Sequence, residues 1–411
     1  MHDPSVTAEA QLARQGSAAA LAHALQRSRS DTLATFAALE QALPNIRVPQ
    51  RPELNPPLWE LGHIGWFQAW WLQRFAARAL GWRADPELPR GPALQRDADA
   101  WYNSSLVPHD SRWRLPLPDA AQTRANLARQ LRATLALLNE GSGDAASSDD
   151  DALYFFRLAL LHEDMHHEAS LYMAQSLGVP TDPARWQPPS LPAPPAPLDF
   201  AAGPWRLGSK ADAGFAFDNE LGAHEVELKA VQIDAQVLRW ADYLPFVAAG
   251  AYGETRWWSE AGHQWRLAQA MQAPRYLRAE AGAWLQWRGG QWRALDLSQP
   301  ACHLSQHEAQ AWCSWAGRRL PTEAEWERAA ISRPQDFRWG DVWEWTASAF
   351  APYPGFQPHP YRDYSAPWFD GRPVLRGGSF MTQPRIKHPR YRNFFPPQRN
   401  DIPAGFRSCA L

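Results

Sequence analysis

Apolar positions in roughly the first 180 residues recur every three or four places, the period of a helix with one buried face. Residues 17–43 (SAAALAHALQRSRSDTLATFAALEQAL) keep that spacing with few breakers. A Pro-Pro pair at 56–57 opens the next run, LWELGHIGWFQAWWLQRFAARAL. Proline suits a first helical turn because the N–H it lacks has no partner there anyway. A third run, TRANLARQLRATLALLNE, ends in a polar, acidic loop at 141–151. The fourth, DALYFFRLALLHEDMHHEASLYMAQSLG, runs from Asp151 to Gly178, and glycine at its end predicts the stop. Four such helices predict a bundle, a form whose core commonly hosts metals.

The pattern then changes. A proline-rich stretch (QPPSLPAPPAPLDF, 187–200) cannot join a helix and marks a boundary. Beyond it come short strand-like runs with many glycines and tryptophans, one helix near 305–317 and no internal repeat. The expected organisation is α+β: a helical bundle over 1–186, a linker over 187–200 and an irregular second domain over 201–411.

Composition narrows the function classes. A length of 411 residues suits two domains, and a net charge of −2 without basic runs gives no reason to expect nucleic acid or an anionic membrane. Cys302, Cys313 and Cys409 form no CxxC pair, which points to a reducing compartment rather than a disulfide framework. The N-terminus does not read as a signal peptide, and no run approaches a membrane span, so a cytoplasmic location is expected. Tryptophan is abundant, at 23 residues, as befits a loop-rich domain pinned by buried rings or an aromatic cage for a cation.

Candidate chemistry sits on two of the helices. His162 and His166 stand four positions apart, so both imidazoles face the same way and can chelate one ion. His63, between Gly62 and Gly65 among apolar residues, is the candidate third ligand, with the glycines allowing close approach. Glu163 gives HEDMHHE a likeness to the HExxH of zinc proteases, but no protease-like third ligand accompanies it. His167 points elsewhere and reads as an outer-shell or solvated residue, while Glu168 is a candidate to orient a ligand histidine. Three neutral nitrogens with open positions suit Fe(II), Zn(II) or Cu(II) alike.

The strings LGHIGWF and HEDMHHE resemble the two ligand segments of the DinB-like bundle in ergothioneine-type sulfoxide synthases. The segments FAFDNE, WAGRRLPTEAEWERAA, DVWEWTAS, VLRGGSF and RYRNFFPP resemble the formylglycine-generating-enzyme (sulfatase-modifying factor) fold, a C-type-lectin variant. The resemblance implies a DinB-like four-helix bundle followed by a C-type-lectin-like domain, with Fe(II) held by His63, His162 and His166. It implies O2-dependent joining of a chalcogen to imidazole C2 of hercynine (N-trimethylhistidine). The cysteines do not follow the thiol-oxidase pattern of true formylglycine generators, so the second half is expected to bind substrate. LPTEAEWERAA also carries a capping-box pattern, Thr322 with Glu325.

Further roles follow from the same resemblance. Tyr102 stands where part of the family has an active-site tyrosine, with Tyr353 and Tyr361 in reserve as proton or hydrogen-atom donors. Asn393 matches a hercynine-contacting asparagine, Phe394 an aromatic for the trimethylammonium group, and Arg399 an arginine for the donor's carboxylate. Phe395 replaces the aspartate of γ-glutamylcysteine users, and Met165 replaces a substrate-contacting glutamine. The expected enzyme is thus of the selenoneine synthase type, using a selenosugar, with a cysteine-using sulfoxide synthase as the alternative. Readings of another class are a zinc-dependent DinB-like thiol transferase and a non-catalytic binding protein.

Overall fold

The computed structural model describes residues 4–140, 149–182 and 185–411, so the stretch 141–148 of the expected acidic loop lies outside the described residues. The chain opens with α1 (Pro4–Gln15), α2 (Ala18–Ala42), α3 (Pro57–Gln68), a short α4 (Ala98–Tyr102), α5 (Ala120–Glu140) and α6 (Asp150–Leu177). Helices α2, α3, α5 and α6 pack on one another as the expected bundle, and α1 is an addition. Ser17 caps α2 by accepting the Ala20 N–H, and Gly178 closes α6 at φ 72°.

The second run does not stay helical to residue 80. After Gln68 the backbone widens into a single π turn, Ala69–Gln73, in which the Arg74 N–H bonds the Ala69 carbonyl at 3.0 Å. A 3₁₀ segment, Ala76–Arg83, follows. Trp71, inside the π turn, stacks on Phe155 of α6 with centroids 5.1 Å apart. Burial of that ring outweighs the regular helical ladder there.

The second half begins with β1 (Leu198–Phe200), β2 (Gly203–Leu207), β3 (His224–Leu228) and β4 (Val231–Ile233), then α7 (Trp240–Ala248) and α8 (Glu260–Ala268). The meander β5 (Leu277–Glu280), β6 (Ala283–Arg288) and β7 (Gln291–Ala294) leads to α9 (Gln306–Ala316), β8 (Arg318–Arg319) and α10 (Glu323–Ser332). The chain ends in β9 (Trp343–Ala349), β10 (Pro373–Arg376), β11 (Asn393–Phe394), β12 (Ala404–Gly405) and β13 (Cys409–Ala410). Two four-stranded sheets result, ordered β1-β4-β13-β8 and β11-β10-β9-β12. Thr322 and Glu325 cap α10 reciprocally, as the sequence pattern predicts. Gly377 and Gly378, at φ 97° and 113°, make the turn after β10 that other residues resist.

One apolar cluster runs through both halves, from Trp59, Phe67 and Phe155 to Phe215, Trp343 and Trp345. Polar ties cross the same seam. Asp164 of α6 receives two bonds of 2.8 Å from Arg385, and Glu220 pairs with Arg14 of α1. Among the described residues no helix is long and apolar enough to cross a membrane.

Candidate metal centre

Helices α3 and α6 cross so that His63, His162 and His166 converge, with one nitrogen of each inside a 4.8 Å span. The Nε2 atoms of His63 and His162 are 3.3 Å apart. Nitrogens bound to one first-row ion at about 2.1 Å, at roughly right angles, would sit about 3 Å from each other. The spacing fits. Tautomers strengthen the case. His63 Nδ1 lies 2.7 Å from the Tyr102 carbonyl oxygen, which only accepts, so Nδ1 carries the proton and Nε2 a free lone pair. His166 Nδ1 lies 2.6 Å from the Glu60 carboxylate, which also only accepts, so that Nδ1 too carries a proton. A carboxylate behind the imidazole is the usual second partner of a metal-bound histidine. Burial, then the neighbouring His166, lowers the His63 pKa to about 3, and burial also lowers His162, so both are neutral at pH 7 and able to serve as ligands.

Aromatic rings hold two of these imidazoles in plane. Phe67 stacks on His162 at 3.5 Å, and Trp59 on His63 at 4.8 Å. The two glycines of α3 serve packing rather than substrate approach. A Cβ on Gly62 would stand 2.2 Å from the Tyr102 ring, and one on Gly65 2.0 Å from the end of Gln130.

Neighbouring residues take roles that differ from expectation in part. Glu163 turns away from the centre and pairs with Arg29 at 2.7 Å. His167 is fully buried, between Thr35 and Gln383, and so is not solvated. Glu168 does not orient a ligand, because its carboxylate accepts from Trp343, Thr382 and Ser379 across the seam. Glu60 does that work instead. Its signal was the E-x-x-H spacing ahead of His63, which places both on one face of α3.

The Tyr102 ring packs against Gly62 and its carbonyl supports His63, whereas the Tyr361 ring lies 6.0 Å from His162 and 4.9 Å from Phe67. Tyr353 sits beneath Arg392, at 4.0 Å in the second half. Met165, between the α6 histidines, accepts from Tyr391 at 3.3 Å. Tyr364 bonds Tyr391 at 2.9 Å and lies edge-on to Phe394, whose ring stacks on Phe350 at 4.0 Å. Asn393 turns its side-chain oxygen to the Phe394 N–H. Arg399 is clamped by both oxygens of Asp401, at 2.6 and 2.8 Å, above the Phe395 ring. A cleft of about 1090 Å³ opens beside Arg399, walled by Trp265, Trp284, Arg275, Tyr276 and Asn400; it borders Arg399 rather than the histidines.

Residues 13–170 match the DinB superfamily model, and residues 192–341 and 335–410 match the sulfatase-modifying factor enzyme 1-like domain. A hercynine oxygenase of Mycobacterium tuberculosis is 32% identical over 409 residues, covering 87% of this chain and 91% of that protein. One from Mycolicibacterium thermoresistibile is 31% identical, covering 88% and 89%. A formylglycine-generating enzyme of Streptomyces coelicolor is 32% identical over 154 residues, or 34% of this chain and 48% of that one. Likeness of that extent to the hercynine oxygenases, together with both domain matches, makes this chain a member of the hercynine oxygenase family, and therefore an oxidoreductase.

Proposed function

We propose that the protein uses O2 to form a C–Se or C–S bond at imidazole C2 of hercynine, with oxidation of the chalcogen. The observation that carries this reading is the convergence of three histidines, two of which have Nδ1 engaged by an acceptor outside the centre. His63, His162 and His166 would hold Fe(II), which would supply O2 activation and bring chalcogen and imidazole together in one effectively intramolecular reaction. Hercynine loses its C2 hydrogen and the donor loses its Se–H or S–H hydrogen. One oxygen ends on the chalcogen and the other leaves as water, so no separate reductant is required.

The chain's own residues orient and protonate. Tyr361 takes the proton-donor role ahead of Tyr102, because its ring neighbours His162 while Tyr102 serves the site through its carbonyl. Burial raises the Tyr361 pKa, so its phenol stays protonated and able to donate. Asn393, Phe394 and Met165 are assigned to hercynine.

For the donor we propose a selenosugar, with cysteine second and γ-glutamylcysteine third. Arg399 is already paired with Asp401, so a donor carboxylate would have to compete for it. The cleft beside it is walled by Trp265 and Trp284, by the amides of Gln269, Gln272 and Asn400 and by the charged Glu53, Arg275 and Arg278; its rings and amides suit a sugar face and hydroxyls. Phe395 offers no partner to a γ-glutamyl ammonium group, and burying such a group unpaired costs on the order of kcal/mol. Anaerobic reconstitution with Fe(II), then O2 uptake with hercynine and the three donors in competition, read by mass spectrometry, tests both parts. Preference for γ-glutamylcysteine would overturn the donor assignment, and O2 uptake independent of hercynine the reaction.

A further inference from the structure

We propose that Arg112 is a positioning residue that holds two of the three histidine ligands, His166 through Asn55 and Glu60, and His63 through Trp59. The inference rests on the reading that the triad binds a metal, but not on which reaction follows.

Arg112 belongs to a 3₁₀ turn, His109–Arg114, outside the four bundle helices. That turn is tied to the loop before α3: His109 Nε2 is 2.8 Å from the Leu54 carbonyl, and Trp113 donates to the Val48 carbonyl at 2.9 Å. From this fixed base the half-buried Arg112 reaches toward the centre by two routes.

The first route is a hydrogen-bond relay. Arg112 donates to Asn55 Oδ1 at 2.9 Å, and Asn55 Nδ2 donates to Glu60 Oε1 at 2.6 Å. The other carboxylate oxygen, Oε2, accepts from His166 Nδ1 at 2.6 Å. The relay has one chemical direction. A guanidinium only donates and a carboxylate only accepts, so the Asn55 amide must present oxygen to Arg112 and nitrogen to Glu60. Both Glu60 oxygens are thereby engaged, and the carboxylate cannot rotate away from His166 without breaking a second bond. The positive charge of Arg112 also offsets the buried negative charge of Glu60, which is costly to keep without a counter-charge.

The second route is through rings. The Arg112 guanidinium carbon lies 3.8 Å from the centroid of the Trp59 indole, and that indole stacks on His63 at 4.8 Å and 9°. Trp59 is further fixed by its Nε1–H, which donates to the Trp101 carbonyl at 2.7 Å. His63 thus has its nitrogen held by Tyr102 and its ring plane held by Trp59, with Arg112 on the same indole. Burial and the Glu60 charge act on Arg112 in opposite senses, and its own charge is felt at both Glu60 and His63.

The test uses the full-length metal-free protein and Co(II), whose visible absorption reports ligand geometry without turnover. Wild type is expected to bind one Co(II) with a histidine-rich spectrum; no binding at all would sink the metal reading itself. Arg112→Met, which cuts both routes, is expected to weaken Co(II) binding by about 10- to 100-fold and to alter the visible bands. Asn55→Ala cuts the relay alone. In that background Arg112→Met is expected to cost less than in wild type, since only the ring route remains to be lost. Circular dichroism of the metal-free variants checks the fold. Should Arg112→Met fail to fold, Arg112→Lys, which keeps the charge but not the planar fork, is read by the same criterion. Wild-type affinity and an unchanged spectrum in the folded variant would overturn the proposal, as would full additivity of the Asn55 and Arg112 effects.

Discussion

His162 differs from His63 and His166 in having a buried Nδ1 with no partner, held in place by the Phe67 ring instead. One histidine of the centre is thus backed by a carboxylate, one by a carbonyl and one by neither, which would grade their basicity toward a metal. Proton donation to the reacting atoms has to come from elsewhere, and Tyr361 is the phenol beside this ring. Tyr361→Phe is expected to cut coupled product by about 100-fold while leaving hercynine affinity near wild type. Tyr102→Phe should leave turnover within a factor of a few. Product analysis of the two variants checks this, and the reverse pattern would return the role to Tyr102. A second residue carries a pH prediction away from the metal. Glu308 is buried beneath Tyr252, and burial pushes its carboxyl up from 4.5 to about 7 against the bonds from Tyr252 and Ser305. A raised folded-state pKa means that the folded form prefers the protonated acid. Its contribution is complete below about pH 4.5 and is lost as pH rises through 7, at most on the order of 3 kcal/mol. Denaturant melts should show wild type losing stability between pH 5 and 8 by more than Glu308→Gln does; parallel curves would contradict this.

At the scale of elements, α3 is the piece whose placement brings His63 to the two histidines of α6. Its glycine at 62 admits the buried Tyr102 ring, and the Tyr102 carbonyl in turn fixes His63. Gly62→Ala would set a methyl 2.2 Å from that ring and has to displace either the helix or the tyrosine. The expected cost is about 1–3 kcal/mol of stability, with a clear loss of Co(II) affinity. Gly65→Ala meets mainly the movable end of Gln130, so its effect on metal binding should be the smaller. Metal titration and thermal melts of both variants check the order. The helices themselves were legible because each keeps one apolar face, and the ligand pair because both histidines lie inside one uninterrupted period. The π turn was not legible. Nothing in QAWWLQRF breaks the helical pattern, and the turn exists because Trp71 gains a partner, Phe155, more than 80 positions away. Glu60 was missed for a different reason. An outer carboxylate was sought beside the histidine pair, at Glu168, whereas His166 is served from the other helix. Local sequence carries no record of which helix faces which.

The whole molecule is joined along α6. Asp164 is fully buried and takes both its strong bonds from Arg385, also buried, with Ser28 of α2 as a third partner at 2.6 Å. Arg385→Ala would leave that carboxylate short of its counter-charge, at a cost of about 3–5 kcal/mol, whereas replacing both residues with apolar ones of similar volume should cost much less. Equilibrium unfolding of the single and double variants tests it, and a single variant as stable as wild type would contradict it. The sequence showed that there are two halves, since proline and period change together near residue 190. It did not show that α6 belongs to both. His162 and His166 alternate along the helix with residues at 164, 167 and 168 whose partners lie at 379–385 and at 343. For anyone recombining relatives, the proline-rich segment at 187–200 is consequently a misleading place to cut. A crossover there parts α6 from Trp343, Ser379, Thr382, Gln383 and Arg385, and a chimera exchanging one half has to inherit those five side chains along with the helix they hold.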